Sequence, residues 1–529
     1  MKNKLIILSL VFIATQFLSC DKGLEGINSN PNEPEIVPTG NIFTSATKEY
    51  TDFTRSAFNT GRLTLPWMQY WGQTAYADED RFLYRETTAE SLYRNTYLVG
   101  TDFKKIIDLN IDEATKEAAA ASGNNENQIA ASRIMLSLMF YELTNFFGDV
   151  PYYSYGSDDP DFEALNIDGT FSPVFAAQDK IYVDILKELR EAADQLNTSA
   201  PVFISGDNIF DGDAAKWKKF ANSLILRVAN NVRNANSTLA SSAITAAISS
   251  GIMTSNDDNA IQKYGTSDNI TANPMWDAFI ERTDFAVTAT FVDILKGLRG
   301  NFGPDARLFE MAAPISASIA EVKAGTYDRS EDLSDYIGIP YAFTNANALP
   351  FTSYSFMGSK VLKPDYGEVL MEYAEVEFIL SEINNFSQAN YVNGVTASME
   401  KWGVAASAIT AFTTGLPAAN EANVLNQKYV ALYMQAHTAY AEYRKSGFPN
   451  LLVKVGDVVT LAQNQIDAQA VEGRISSYTF VPGVIVTDIP ARLRYPQILQ
   501  TLNRVNRAEA AGRLSGGDAI TSKLFWDID

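Results

Sequence analysis

The sequence predicts a mostly α protein, with tetratricopeptide-like helix pairs packed against an irregular, loop-rich region that has few short strands. Three observations predict it. Long stretches place apolar residues at helical spacing. These stretches come in pairs of about 20 residues, separated by Gly, Asn or Pro. A central stretch, about 251–363, carries Gly, Pro, Asn, Tyr and Phe with little periodicity and reads as loops and small strands.

From Thr88 to Ala121 the residues Leu92, Tyr93, Leu98, Phe103, Ile106, Ile107 and Leu109 fall on or near one helical face, and Gly123-Asn124-Asn125 breaks the pattern. A second helix is expected over about Asn127–Phe147, ending at Gly148. Glycine there enters the left-handed region without a Cβ clash. Pro173 opens the next helix, through Leu196. Asp213 is placed to cap Ala214–Asn234, and Ser237–Ser250 adds a shorter helix. The Trp217, Phe220, Leu224 and Val228 stripe marks the buried face of the capped helix. Helical pattern returns over about Asp365–Asn385, Thr396–Thr413 and Glu421–Lys445, and the tail Phe448–Asp529 mixes loops with a helix near Val458–Glu472. Helical repeats thus occupy about 88–250 and 365–446, within a single domain expected over 41–529. A tetratricopeptide unit has a period of ~34 residues, and here long insertions interrupt it.

Composition excludes several function classes. The 529 residues are 46% hydrophobic, enough for a large core, so the chain is not disordered as a whole. With 63 acids against 42 bases the net charge is −21, and no run of Lys and Arg offers a nucleic acid the clustered cations it needs. One histidine, His437, and one cysteine, Cys20, leave no Cys/His zinc site, two-histidine metal motif or internal disulfide. Nucleotide loops and a serine-hydrolase elbow are absent from the sequence, and no cofactor is expected.

The N-terminus assigns a compartment. Lys2 and Lys4 precede a largely apolar run from Leu5 to Leu18, then Ser19 and Cys20. As a helix this run spans only ~21 Å, short of the ~30 Å bilayer core, so it reads as a cleaved export signal. Residues 1–19 are the expected signal peptide and Cys20 the lipidated first residue of the mature chain, with Phe17 standing where a lipobox usually has Leu. Residues 20–40, rich in Asn, Pro, Gly and Glu, suit a flexible tether.

Seven blocks, in order, carry a resemblance. They are Asn145-Phe-Phe-Gly-Asp-Val-Pro-Tyr152, Gly212-Asp-Ala-Ala-Lys-Trp-Lys-Lys-Phe-Ala-Asn-Ser-Leu-Ile-Leu-Arg227, Pro304-Asp-Ala-Arg-Leu308, Tyr373-Ala-Glu-Val-Glu-Phe-Ile-Leu-Ser-Glu382, Ala441-Glu-Tyr-Arg-Lys-Ser-Gly-Phe-Pro449, Arg492-Leu-Arg-Tyr-Pro496 and Lys523-Leu-Phe-Trp-Asp527. With the lipoprotein start they resemble the SusD/RagB family of outer-membrane nutrient-binding lipoproteins, in its SusD-like branch of Bacteroidetes proteins. Leu499 departs from the family's usual Glu after the Tyr-Pro pair. The resemblance implies four tetratricopeptide-like units against an irregular region and no catalysis. It also implies a location at the outer membrane, facing outward, and a TonB-dependent transporter barrel as partner, to which an oligosaccharide or peptide is delivered.

Two aromatic sets are the candidate ligand-binding residues. The first is Trp67, Tyr70, Trp71, Tyr76 and Arg81, with Gln69, Gln73 and Asp78 between them; the second is Trp276, Arg282 and Phe285. Aromatic faces stack on sugar rings while polar groups at the rim bond hydroxyls. Core packing is the competing reading of each. Glu368, Glu372, Glu375 and Glu382 share one face if their segment is a continuous helix, which keeps an extracellular glycoside hydrolase with paired carboxylates as the alternative function. A structural or adhesive surface protein is a third reading. Asp207, Asn208, Asp211 and Asp213 form an oxygen-rich group without calcium-loop spacing, and His437 among Tyr433, Tyr440 and Tyr443 reads as a packed structural residue.

Cys20→Ala is expected to release the protein from membranes into the soluble fraction. A variant that stays wholly membrane-bound on fractionation contradicts the anchor.

Overall fold

The computed structural model describes residues 37–266 and 270–527. The signal segment 1–19, Cys20 and the tether up to residue 36 lie outside the described residues. The first six long helices are α1 (Thr39–Thr54), α2 (Glu86–Ile111), α3 (Asn125–Phe147), α4 (Gln178–Gln195), α5 (Ala214–Val232) and α6 (Ser237–Ser250). Each packs on the next. The irregular region holds α7 (Pro274–Glu281). The second helical block comprises α8 (Tyr373–Ile383), α9 (Gln388–Lys401), α10 (Ala406–Thr414), α11 (Glu421–Ala431) and α12 (Ala436–Ser446), and α13 (Arg504–Arg513) lies in the tail. Helix α8 lies against α5, α9 and α11, while α12 meets α5 and the one-turn helix Thr64–Trp67, so the two blocks share one core. This is the mostly α, helix-pair architecture that the periodicity predicts.

Local chemistry explains the boundaries. The Asn124 side chain accepts the Asn127 amide at the start of α3, Asp213 accepts from Ala215 and Lys216 at the start of α5, and Asn236 accepts from Leu239 at α6. Each satisfies a backbone N–H that the first helical turn leaves unpaired. Gly148 ends α3 at φ 85°, as expected. Trp217, Phe220, Leu224 and Val228 are buried on α5.

Several elements differ from expectation. The helix Thr39–Thr54 begins inside the segment read as tether; its apolar positions are too sparse for a periodicity signal, yet Phe43, Ala46 and Tyr50 are buried. Residues Glu368–Met371 form a strand, so the pattern from Asp365 contributes a helix only from Tyr373. Gly403 at φ 74° separates α9 from α10, and Met434 at φ 70° separates α11 from α12, where single helices were expected. In the tail, the stretch 458–472 gives a strand and then a helix over Gln463–Ala468.

The strands are β1 (Trp71–Gln73), β2 (Ala260–Gln262), β3 (Phe285–Val287), β4 (Glu368–Met371), β5 (Val458–Thr460) and β6 (Ser477–Thr479). They pair antiparallel as β1–β3, β2–β4 and β5–β6.

Buried charges join the blocks. Arg227 on α5 donates to both oxygens of Glu375 on α8, at 2.7 and 2.5 Å, and to the Leu370 carbonyl. Glu382, also on α8, accepts from Lys428 on α11 at 2.6 Å and from Lys445 on α12 at 2.9 Å. Burial works to raise the Glu382 carboxyl, but the two ammonium groups hold it well below the usual carboxylate range. Arg55, just past α1, holds Glu142 of α3 at 2.6 and 3.1 Å and reaches His437 of α12 at 2.9 Å. Glu142 likewise stays far below the ordinary range: burial opposes this, and Arg55 and then His437 overcome it.

Glu375→Gln leaves the Arg227 guanidinium buried without its counter-charge. It is expected to cost about 3–5 kcal/mol of folding stability, read by urea denaturation. Arg227→Met combined with Glu375→Leu is expected to lose less than the single change. An equal or larger loss contradicts this account.

Candidate ligand-binding site

The first aromatic set begins on the turn Thr64–Trp67 and enters β1, whose register with β3 sets Trp71 opposite Val287 and Gln73 opposite Phe285. The two sets predicted from sequence therefore do meet in space. They meet in the interior, however: Trp67, Tyr70, Trp71 and Phe285 have at most 1% of their surface accessible. The Trp67 indole donates to the Glu79 carbonyl at 3.2 Å and packs edge-on to Tyr84 and Tyr440. Tyr70 stacks on Tyr429 at 4.4 Å and donates to its carbonyl at 2.6 Å. Trp71 donates to the Tyr433 hydroxyl at 3.0 Å and lies against Phe279 and Phe285. The expectation that Trp67, Tyr70, Trp71 and Phe285 contact a ligand is thus corrected. The polar tips of Trp67 and Trp71 are satisfied inside the protein, which allows an indole to sit in a core.

The other four candidates remain within reach of solvent. After β1 the chain turns outward, pinned where Thr74 donates its amide to the Asp284 carbonyl at 2.9 Å and its hydroxyl to the Thr283 carbonyl at 2.6 Å. These bonds bring the Tyr76 loop beside Arg282. Tyr76 is 53% exposed, and Arg282 is exposed and paired with Asp284 at 3.0 Å. Asp284, and after it the Tyr76 hydroxyl, raises the Arg282 guanidinium above its ordinary value. Trp276 is half-buried on α7, whose start is capped by Asn273. Half-buried Arg81 donates to the Val481 carbonyl at 2.8 Å, which draws the 481–483 segment alongside. Tyr76, Arg282 and Asp284 form one aromatic and hydrogen-bonding set at the margin of the β1–β3 ribbon. Asp284 was missed in the sequence; its signal was the Arg-x-Asp spacing, too common to single out.

The carboxylates expected on one face are dispersed. Glu368 lies in β4 and accepts from Asn273 at 2.8 Å, Glu372 pairs with Lys401 at 2.5 Å, and Glu375 and Glu382 hold the buried cations described above. Asp207 accepts from the amides of Ile209, Phe210 and Gly212 and from the Trp217 indole, which fixes a turn. His437 lies edge-on to Phe146, and burial, then Arg55, lowers its basicity. The larger cavities among the described residues lie elsewhere: about 270 Å³ beside Tyr443, Asp488 and Lys523, about 310 Å³ beside Phe302, Phe412 and Leu416, and about 380 Å³ among α4, α5 and α6. None of the predicted ligand-binding residues lines any of these.

The loop that carries Tyr76 and Arg81 is anchored by Asp80, whose Oδ2 accepts the Gln73 amide at 3.0 Å and whose carbonyl accepts from Tyr341 at 2.7 Å. Burial, against the pull of the Gln73 amide, pushes the Asp80 carboxyl up to about 8. The folded protein thus keeps a proton there that the unfolded chain releases near pH 4. Stability from this group is complete below about pH 4 and falls as the pH rises through about 8, at up to ~1.4 kcal/mol per pH unit. Asp80→Asn keeps the group neutral. Denaturation at pH 5 and pH 8 is expected to show a smaller drop for the variant than for the parent; parallel drops contradict the assignment.

A family profile described as starch-binding and associating with the outer membrane, SusD-like, matches residues 31–474. A search of curated protein sequences finds no match. Among solved structures, a chitin-binding protein is similar at TM-score 0.70 and 22% identity, covering 93% of this chain and 100% of that one. A SusD-like protein named as Bacteroidetes AC2a is similar at TM-score 0.72 and 19% identity, with 93% and 100% covered. A SusD homologue from Bacteroides uniformis is similar at TM-score 0.68 and 20% identity, with 92% and 99% covered. The helix-pair fold around one core and the profile match over most of the chain together show that this protein belongs to the SusD-like family.

Proposed function

We propose that this protein binds an oligomeric nutrient, a glycan in preference to a peptide, and passes it unchanged to a TonB-dependent outer-membrane transporter. The observation that carries the reading is the set of exposed Tyr76 and Arg282 with half-buried Asp284 at the margin of the β1–β3 ribbon. An aromatic face with a charged, hydrogen-bonding rim suits a sugar ring and its hydroxyls. The family description and the chitin-binding structural relative favour a glycan. Among the described residues no helix is long and apolar enough to cross a membrane, and we assign attachment at the cell surface to lipid on Cys20. The hydrolase alternative is disfavoured because Glu372, Glu375 and Glu382 are each tied to a cation in the interior.

A glycan and peptide screen by calorimetry is expected to find a glycan ligand and no shortened product. Tyr76→Ala and Arg282→Ala are then expected to weaken binding by about 2 kcal/mol, roughly thirtyfold, with thermal stability kept. Trp71→Ala is expected to cost about 3–5 kcal/mol of stability instead. Unchanged affinity in both surface variants overturns the site, and released fragments overturn the binder.

A further inference from the structure

The charges around Tyr76 and Arg282 select among glycans. Residues 76–85 and 274–284, the segments that carry these two side chains, hold six acids and three arginines. Each arginine is already engaged. The Arg282 Nε lies 3.1 and 3.0 Å from the two carboxylate oxygens of Asp284. Arg85 pairs at 3.3 Å with Glu79, which is buried. Arg81 directs its Nε to the Val481 carbonyl at 2.8 Å and its amide N–H to the Asp78 carbonyl at 3.1 Å, so exposed Asp78 stands beside it. Asp277 adds a further exposed carboxylate on α7. These segments therefore offer no surplus of positive charge, and the chain as a whole carries a net −21.

A carboxylate or sulfate on a sugar ring needs such a surplus. Parallel guanidinium N–H groups bind it and offset the loss of its water. Here the exposed guanidinium of Arg282 faces a carboxylate instead, and an acidic chain meets Asp284 as a like charge. A neutral sugar has a different need. Hydroxyls on adjacent ring carbons each bring a donor and an acceptor. Arg282 and Asp284 set a donor and an acceptor side by side, with the Tyr76 hydroxyl near the guanidinium.

We propose that this site takes neutral oligosaccharides and discriminates against acidic ones, and that Asp284 sets the choice. This deepens the proposed function and rests on it. The test is calorimetry on the full chain, purified in detergent, at low and high salt. Maltohexaose and chitohexaose are the neutral probes and oligogalacturonate the acidic one. At least one neutral probe is expected to bind, with an affinity that changes less than about twofold with salt, because an uncharged ligand has no charge to screen. Oligogalacturonate is expected to bind more weakly, most of all at low salt. Asp284→Asn removes the charge and keeps an oxygen for Arg282. It is expected to raise the ratio of acidic to neutral affinity by up to about fivefold at low salt, with the gain lost at high salt. A change that merely disturbs the fold weakens both classes and leaves that ratio and its salt dependence alone. Tighter binding of oligogalacturonate than of the neutral probes by the parent, or a ratio that stays as low in Asp284→Asn, overturns the inference while the glycan reading stands. If the parent binds none of the three, the glycan reading fails and this inference with it.

Discussion

The structure depends on charges buried between its two helical blocks. Arg227, Glu375, Glu382, Lys428 and Lys445 lie on four helices and are nearly inaccessible to water. A single unpaired charge in that setting costs several kcal/mol, so each ion enforces the position of its partner. The consequence is geometric: α8 has to present Glu375 to α5 and Glu382 to both α11 and α12. Arg55 and Glu142 extend the same constraint to α1 and α3. Apolar burial supplies most of the attraction between the helices, but it is indifferent to register. The ion pairs set the register.

The aromatic run after Thr64 connects this frame to the irregular region. Tyr70 and Trp71 reach Tyr429 and Tyr433 on and beside α11, and their backbone supplies one strand of the β1–β3 ribbon. The interior ends of these rings hold the ribbon against the second block, so the loop at its margin departs from a fixed base. A loop at such a place is positioned by the core without being part of it. That division is why substitution of exposed Tyr76 is expected to cost little stability and that of buried Trp71, five residues earlier, much more. Tyr76, Arg282 and Asp284 mix one ring with opposite charges, a combination suited to a polar ligand that keeps some of its water.

The sequence by itself determined the fold class, the helix cap at Asp213, the stop at Gly148, the core stripe of α5 and the family. Each is decided by residues within a turn or two of one another, or by an ordered set of motifs. The sequence also marked the two aromatic sets that meet at the β1–β3 ribbon. Only the tertiary structure decided which of those rings face water. Trp71 and Tyr76 look alike in sequence, and the difference lies in Tyr433, more than 350 residues away, which receives the indole N–H. The same holds for Glu368 to Glu382: spacing suggested one face of a helix, whereas Lys401, Arg227, Lys428 and Lys445 drew three of the four carboxylates inward, and a strand removed Glu368 from the helix. Burial of a polar or aromatic group is settled by distant partners that satisfy it, and local pattern carries no record of them.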